Sequence, residues 1–419
     1  MKVPFKGGNI LIPKETDMYK WCVVACDQYT SEPDYWNEVK NIVGDNPSTL
    51  NLTLPEIFLE EDDVEERIKK INENMKEYLD KDLFTEYTDS MIYLEREQND
   101  GKIREGLMGI VDLEDYSFEK GSQTLIRATE KTVIERIPPR MKVRKNALLE
   151  LPHIMILIDD DKKEIIENLK NTVSEEDVVY DTDLMQKGGH IKGYKLSNET
   201  MNDVINKLEK LADKDNFEAK YNVKDKGVLL FAMGDGNHSL ATAKSCYEKL
   251  KESMSEEEYL NHPARYALVE LVNLHSEALE FEAIHRVIFD VDVEDLVKEL
   301  NEYYSINEDG NGQKFELITK DYDKTLYIEN PKSNIPVGSI QMFLDEYLKD
   351  HKGKIDYIHG DDTTKEMASK EGNVGIIFDA MSKGDLFKTV ILDGALPRKT
   401  FSMGHAHDKR FYLEARKIK

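Results

Sequence analysis

The sequence predicts a mixed α and β fold, and three observations carry that expectation. Wholly apolar runs at 154–158 and 228–233 have strand length and stop far below the roughly 20 residues that span a bilayer. Amphipathic stretches of helical period lie between such runs, the clearest over 64–79, where Ile68, Ile71, Met75 and Leu79 form one stripe. A buried-strand pattern over 227–233 leads directly into Gly234-Asp235-Gly236-Asn237-His238 and then into a helix reaching about Lys251.

Taken in order, residues 21–26 read as a buried strand and Ser31 as the cap of a helix with Pro33 in its first turn, which leaves Asp27, Gln28, Tyr29 and Thr30 on a strand-to-helix loop. Residues 90–96 and 102–113 alternate around Asn99-Asp100-Gly101, a hairpin signal. After His153 come a strand, a helix over 162–171, an excursion through Gly188 and Gly189, and a helix over 199–213. Beyond the glycine loop the pattern gives a strand over 265–272, a helix over 293–304, short strands near Phe315 and Leu326, a helix over 339–348, and strands over 355–358 and 374–378. The tail 411–416 alternates as an ordered strand. Element order divides the chain into parts at 1–120, 121–290 and 291–419; no linker composition marks these boundaries, and no repeat of fixed period is present.

Composition narrows the function classes. At 40% apolar and 33% charged residues over 419 positions, the chain is too hydrophobic for disorder and too charged for a membrane-embedded protein. The N-terminal residues 1–8 contain no apolar run after their lysines, so no secretory signal is read and the expected address is the cytoplasm. A net charge of −26 opposes polyanions and argues against nucleic acid as a partner. A small anionic metabolite remains open to a local cluster of cations, and a homo-oligomer is compatible with the sequence. Cys22, Cys26 and Cys246 have neither redox-pair nor zinc spacing and are expected to be reduced thiols.

Three stretches could carry chemistry. In the first, Gly234 and Gly236 let the backbone turn tightly at a helix start, where free amides and the helix dipole favour an anion; Asn237 belongs to the same loop. Asp235 is placed to bind a divalent cation such as Mg²⁺ or to accept a proton, and His238 to donate to a phosphoryl oxygen. As a plain Asp-Gly-Asn turn, the loop has an equally simple explanation. In the second, Arg127, Arg136, Arg140 and Arg144 fall within eighteen positions of an acidic chain, with Glu130 as a base and His153 at the end of the block. Pro138 and Pro139 are read as helix stops, and ion pairing of the arginines to nearby acids is the plainer alternative. The third, 396–410, holds Arg398, Lys399, His405 and His407; on a strand the two histidines share a face, which permits a metal without requiring one.

These blocks, 127–153, 234–238 and 396–400, stand in the same order as in the domain-of-unknown-function family DUF1015, which the chain resembles over nearly its whole length. The segment Ala25-Cys26-Asp27-Gln28-Tyr29 falls where that family has its N-terminal loop motif. The family's Asp-Gly-His-His-Arg motif is also similar to the phosphate-binding box of the ParB/sulfiredoxin fold, which includes free serine kinases. That resemblance implies a ParB/sulfiredoxin-like core within a larger α/β protein. It places Asp235, Gly236 and His238 in the box, with Asn237 at the first histidine and Ser239 at the arginine, so that Arg127, Arg136 or Lys399 has to supply the missing charge. Glu130 or Asp27 is then the candidate base. The implied activity is phosphoryl transfer on a small metabolite, serine or O-phosphoserine first, with Mg²⁺ and a nucleotide or other phosphoryl donor. Rival readings are a ParB-like nucleotide- and DNA-binding protein, which needs a basic face or helix-turn-helix that the sequence does not present, a metal-dependent hydrolase using His405, His407 and Asp361, and a non-catalytic metabolite-binding protein.

Overall fold

The computed structural model describes residues 2–419, apart from the side chain of Arg136. It confirms the mixed α/β class. The chain forms two compact units: Met1–Ala128 with Thr132–Leu279 and His405–Lys419, and Thr129–Lys131 with Glu280–Gly404. Three consecutive parts were expected from element order. The difference arises because the last residues of the chain return to the first unit, and strands on both sides of residue 120 belong to one sheet.

In the first unit the labelled elements are α1 (Val64–Asp80), β1 (Ile92–Glu97), β2 (Ile103–Asp112), α2 (Ile137–Lys145), β3 (Met155–Ile158), β4 (Val178–Leu184), β5 (Gly189–Lys195), β6 (Phe231–Asp235), α3 (Asn237–Lys251) and β7 (Tyr266–Asn273). Among the described residues they build a ten-stranded sheet running β4-β5-β1-β2-β7-β3-β6, continued by Ile126–Arg127 and Tyr116–Ser117, with Phe5–Lys6 beside β2. Met155 of β3 lies opposite Glu270 of β7 in parallel register and opposite Asp235 of β6 in antiparallel register; the latter register shifts immediately after Met155. The glycine loop therefore leaves the sheet beside the residues that precede β3.

Local departures from the sequence reading have physical causes. The helix expected from Ser31 begins at Pro33 with Glu32 as its cap, because proline takes the first helical position. Pro138 and Pro139 open α2 instead of stopping a helix, since first-turn amides have no partner within the helix. The helix expected over 162–171 shrinks to a 3₁₀ turn at Leu169–Asn171: Lys163 is left-handed at φ +55°, and the Asp160 carboxylate accepts the Ile165 N–H. Gly188 and Gly189 belong to the hairpin that joins β4 to β5. Residues 406–408 form a 3₁₀ turn, not a strand, so His405 and His407 do not alternate along one; their rings stack with centroids 5.4 Å apart.

A chain of buried charges crosses this unit. Glu270, with no solvent exposure, receives Arg104 Nε at 3.2 Å on one oxygen and Arg410 on the other. Arg410 also pairs with buried Glu414, whose other oxygen accepts the Tyr180 hydroxyl at 2.6 Å. Gly106 makes room for the cluster, since a Cβ there would lie 2.4 Å from Glu270 Oε1. A second set joins Arg144 and Arg416 to Glu150, whose Oε1 also accepts the Leu268 N–H at 2.9 Å.

The second unit carries β8 (Phe281–Phe289), β9 (Gln313–Ile318), β10 (Asp323–Ile328), β11 (Lys354–His359) and β12 (Val374–Ile377). The sheet order is β10-β9-β12-β8-β11, with Ile306–Asn307 beside β10 and Phe401–Met403 beside β8. No helix among the described residues is long and apolar enough to cross a membrane.

Glu270→Ala leaves Arg104 and Arg410 without their shared carboxylate and is expected to lower the unfolding free energy by about 3–5 kcal/mol, read from the urea midpoint. Burial pushes the Glu270 carboxyl up, but the charges of Arg104 and Arg410 outweigh it and hold the group below its ordinary value. Its contribution is full above the unfolded value of about 4.3 and is lost as pH falls through the lower folded value, so the variant loses less stability than the wild type on acidification through that range.

Candidate functional site

The glycine loop forms as the sequence suggests. β6 ends at Asp235, and Gly236 adopts the left-handed conformation at φ +75°, where a Cβ would lie 3.0 Å from Ile154 Cα; α3 starts at Asn237. Asp235 Oδ1 accepts the Gly236 N–H at 2.8 Å, and its Oδ2 lies 3.2 Å from Lys409 Nζ. The first turn of α3 contains no acidic residue to oppose an anion at the positive end of the helix dipole. Asn237 Oδ1 is buried and accepts no hydrogen bond, an orphaned acceptor at the mouth of the helix. His238 faces the segment after Arg127, its Nε2 accepting the Val133 N–H at 3.4 Å.

Beside this loop stands a pair that the sequence indicated only by halves. His153, almost fully buried, has Nε2 at 3.5 Å from Asp27 Oδ2 and 3.3 Å from the Ser239 hydroxyl. Its Nδ1 meets the Tyr412 hydroxyl at 2.8 Å, and that hydroxyl accepts the Cys26 N–H. Burial opposes ionisation of Asp27, but the charge and hydrogen bond of His153, with help from Gln28 and Lys409, hold it well below the usual carboxylate range. Burial likewise opposes protonation of His153, and Asp27 outweighs it, raising the imidazole above its ordinary value, with Asp235 and Glu56 adding to the effect. Serine and aspartate share one ring nitrogen while Nδ1 goes to tyrosine, so the group is not laid out as a relay in which a carboxylate on one nitrogen activates Ser239 on the other. Burial first, then the Asp27 charge, pushes the Cys26 thiol up to about 12, which removes it as a nucleophile.

The arginine block serves the protein's own groups. Arg127 is buried and donates to the carbonyls of Thr124, Gly227 and Val228, with burial drawing its pKa down to about 10; it ties two chain segments together instead of facing a ligand. Arg144 neutralises Glu150, and Arg140 pairs with Glu56. Arg136 has its backbone in the 3₁₀ turn Ile134–Arg136, and its side chain lies outside the described residues. His405, exposed, opens the turn at Ala406–Asp408. Ion pairing to nearby acids, the plainer alternative, thus accounts for Arg140 and Arg144.

Glu130, Arg398 and Lys399 belong to the second unit, where Glu130 bridges to Leu396 and the carbonyls of Arg398 and Lys399 accept buried Arg286. Arg398 Nε donates to the Tyr357 hydroxyl at 2.7 Å. Asp361, in the same unit, pairs with His285, and among the described residues the one group of three possible metal ligands is Asp295, Glu299 and His351. The expected set of His405, His407 and Asp361 does not form such a group. Lys409 and Tyr412, essential to the site's geometry, had no sequence signal beyond the density of polar groups in the tail.

The chain matches the family described as Protein of unknown function (DUF1015) over residues 3–347. No curated protein matches it. Among solved structures it is similar to a free serine kinase in complex with AMP, at 10% identity and a TM-score of 0.38, over 74% of this chain and 91% of the other. A conserved hypothetical protein from Pyrococcus furiosus is similar at 11% identity and a TM-score of 0.36, over 74% and 94% of the two chains. C-terminally truncated SbnI from Staphylococcus aureus stands at 8% and 0.36, over 71% and 82%.

Asp27→Asn is expected to move the His153 titration to lower pH, followed through the imidazole C–H resonance by NMR. The pair's contribution to stability is present above the unfolded carboxylate value of about 3.9 and below the unfolded histidine value of about 6.5. It disappears as pH falls through the lowered Asp27 value and as pH rises through the raised His153 value. An unchanged His153 titration in the variant would show that the carboxylate does not hold the proton there.

Proposed function

The chain belongs to the DUF1015 family, and we propose that its first unit binds the anionic group of a small metabolite at the start of α3 and acts there in phosphoryl transfer. The observation that carries this reading is the contact of His153 with Asp27, with Ser239 and Tyr412 also on the ring nitrogens, set beside a left-handed glycine that opens a helix. Phosphate oxygens are held by the first-turn amides of α3 and by Lys409, and Asn237 Oδ1 takes a donor from the ligand, a hydroxyl or an amine. The His153 imidazolium neutralises charge on the transferring group, while His238 donates to a phosphoryl oxygen.

Asp235 offers a single carboxylate, with Lys409 and not a second acid on its other oxygen. That donor set fits Mg²⁺ only when the ligand's phosphate oxygens complete the shell, a usual arrangement for this ion; Mg²⁺ there would supply charge neutralisation. The nucleotide donor and the serine or O-phosphoserine pair follow from the family resemblance and are the first compounds to assay. Glu130 has no part in the proposal.

Thermal-shift titration with ATP, ADP, pyrophosphate, serine and O-phosphoserine, with and without Mg²⁺, tests the reading. Mg²⁺ alone is expected to leave the melting temperature unchanged, and Mg²⁺ with a phosphate compound to raise it. Lys409→Ala is expected to weaken phosphate binding about tenfold, the loss of one charge-assisted hydrogen bond. Asp235→Asn keeps the oxygen that caps Gly236, so it should leave the fold intact and abolish Mg²⁺-dependent turnover. Retained turnover with a lowered melting temperature would make Asp235 a turn residue only.

A further inference from the structure

A cavity of about 160 Å³ is lined by His153 together with Ser239 and Thr242 of α3. Its walls are apolar, formed by Leu52, Leu54, Leu59, Met75, Val143 and Leu149, and its polar end is formed by His153, Ser239 and Tyr412. The charged groups at its wall are engaged by the protein itself, Arg140 with Glu56 and Arg144 with Glu150, the latter shared with Arg416, and apolar side chains make up the larger part of the lining. His153 and Ser239 therefore belong both to the anion site and to the end of an apolar chamber.

We infer that the ligand of this site joins its anionic group to a compact apolar body of about one ring or a short branched chain, seated in this cavity. The inference rests on the phosphate reading for the anionic end and on the cavity alone for the apolar end. Size supports it, because an apolar cavity of about 150 Å³ takes a benzene-sized guest. Chemistry supports it as well: a serine side chain would bring a hydroxyl against aliphatic walls and leave most of them uncovered, whereas burying a ring there removes apolar area from water on both sides. The polar end of the cavity is where the two parts of the ligand join, against Ser239 at the first turn of α3.

Calorimetry on the full chain with inorganic phosphate, phenyl phosphate and benzyl alcohol separates the two ends. Phenyl phosphate is expected to bind at least about tenfold more tightly than inorganic phosphate, and benzyl alcohol to bind without any phosphate. Val143→Phe, at a half-buried position on α2, fills the chamber; it is expected to erase the phenyl advantage and benzyl alcohol binding while keeping the affinity for inorganic phosphate. Ala147→Leu, on the same wall, gives a second, smaller obstruction should the phenylalanine prevent folding. Equal affinity for phosphate and phenyl phosphate, or an advantage that survives both variants, overturns the inference. Benzyl alcohol binding that the variants abolish, with no phosphate compound bound, instead overturns the phosphate reading and leaves the apolar seat standing.

Discussion

Glu270 sits in the middle of the first unit's sheet with no solvent exposure, held between Arg104 from the neighbouring strand and Arg410 from the last stretch of the chain. A carboxylate in that place is tolerable only while both guanidiniums are present, and each guanidinium is tolerable only while it has the carboxylate. Arg410 continues to Glu414, and Glu414 to Tyr180. The arrangement binds the tail 405–419 to the sheet through charge, and so gives its two useful side chains fixed positions. Tyr412 meets His153, and Lys409 meets Asp235.

The same constraint resolves an apparent contradiction in the charge. To hold an anion, a chain at −26 would have to concentrate cations, and the arginine-rich block is where the sequence places them. In the fold, Arg144 and Arg416 neutralise buried Glu150, Arg410 neutralises Glu270 and Glu414, and Arg127 satisfies backbone carbonyls. The basic groups near the loop are instead Lys409, opposite Asp235, and His153, whose basicity is raised by Asp27.

Arginine in an acidic chain was thus a true signal attached to the wrong task. Its planar fork suits a buried carboxylate as well as a phosphate, and nothing in the spacing of Arg127, Arg140 and Arg144 tells the two apart. The glycine loop was legible because its meaning is local: an apolar strand, a residue that turns left-handed, and a helix start are consecutive. His153 and Asp27 were each visible as polar residues next to a strand, but their pairing joins positions 126 apart in sequence, and Tyr412 adds a third segment from the far end.

Sequence by itself determined the class of fold, the hairpin at Asn99-Asp100-Gly101, the amphipathic helix over 64–79 and the turn at Gly236, because each follows from the period of apolar residues or from the backbone freedom of glycine within a few neighbours. Tertiary structure decided which arginines were spent on buried acids, where the last residues of the chain return, and that His153 meets Asp27 beside an apolar cavity. Those outcomes depend on desolvation, which is a property of everything packed around a group. No window of sequence contains it.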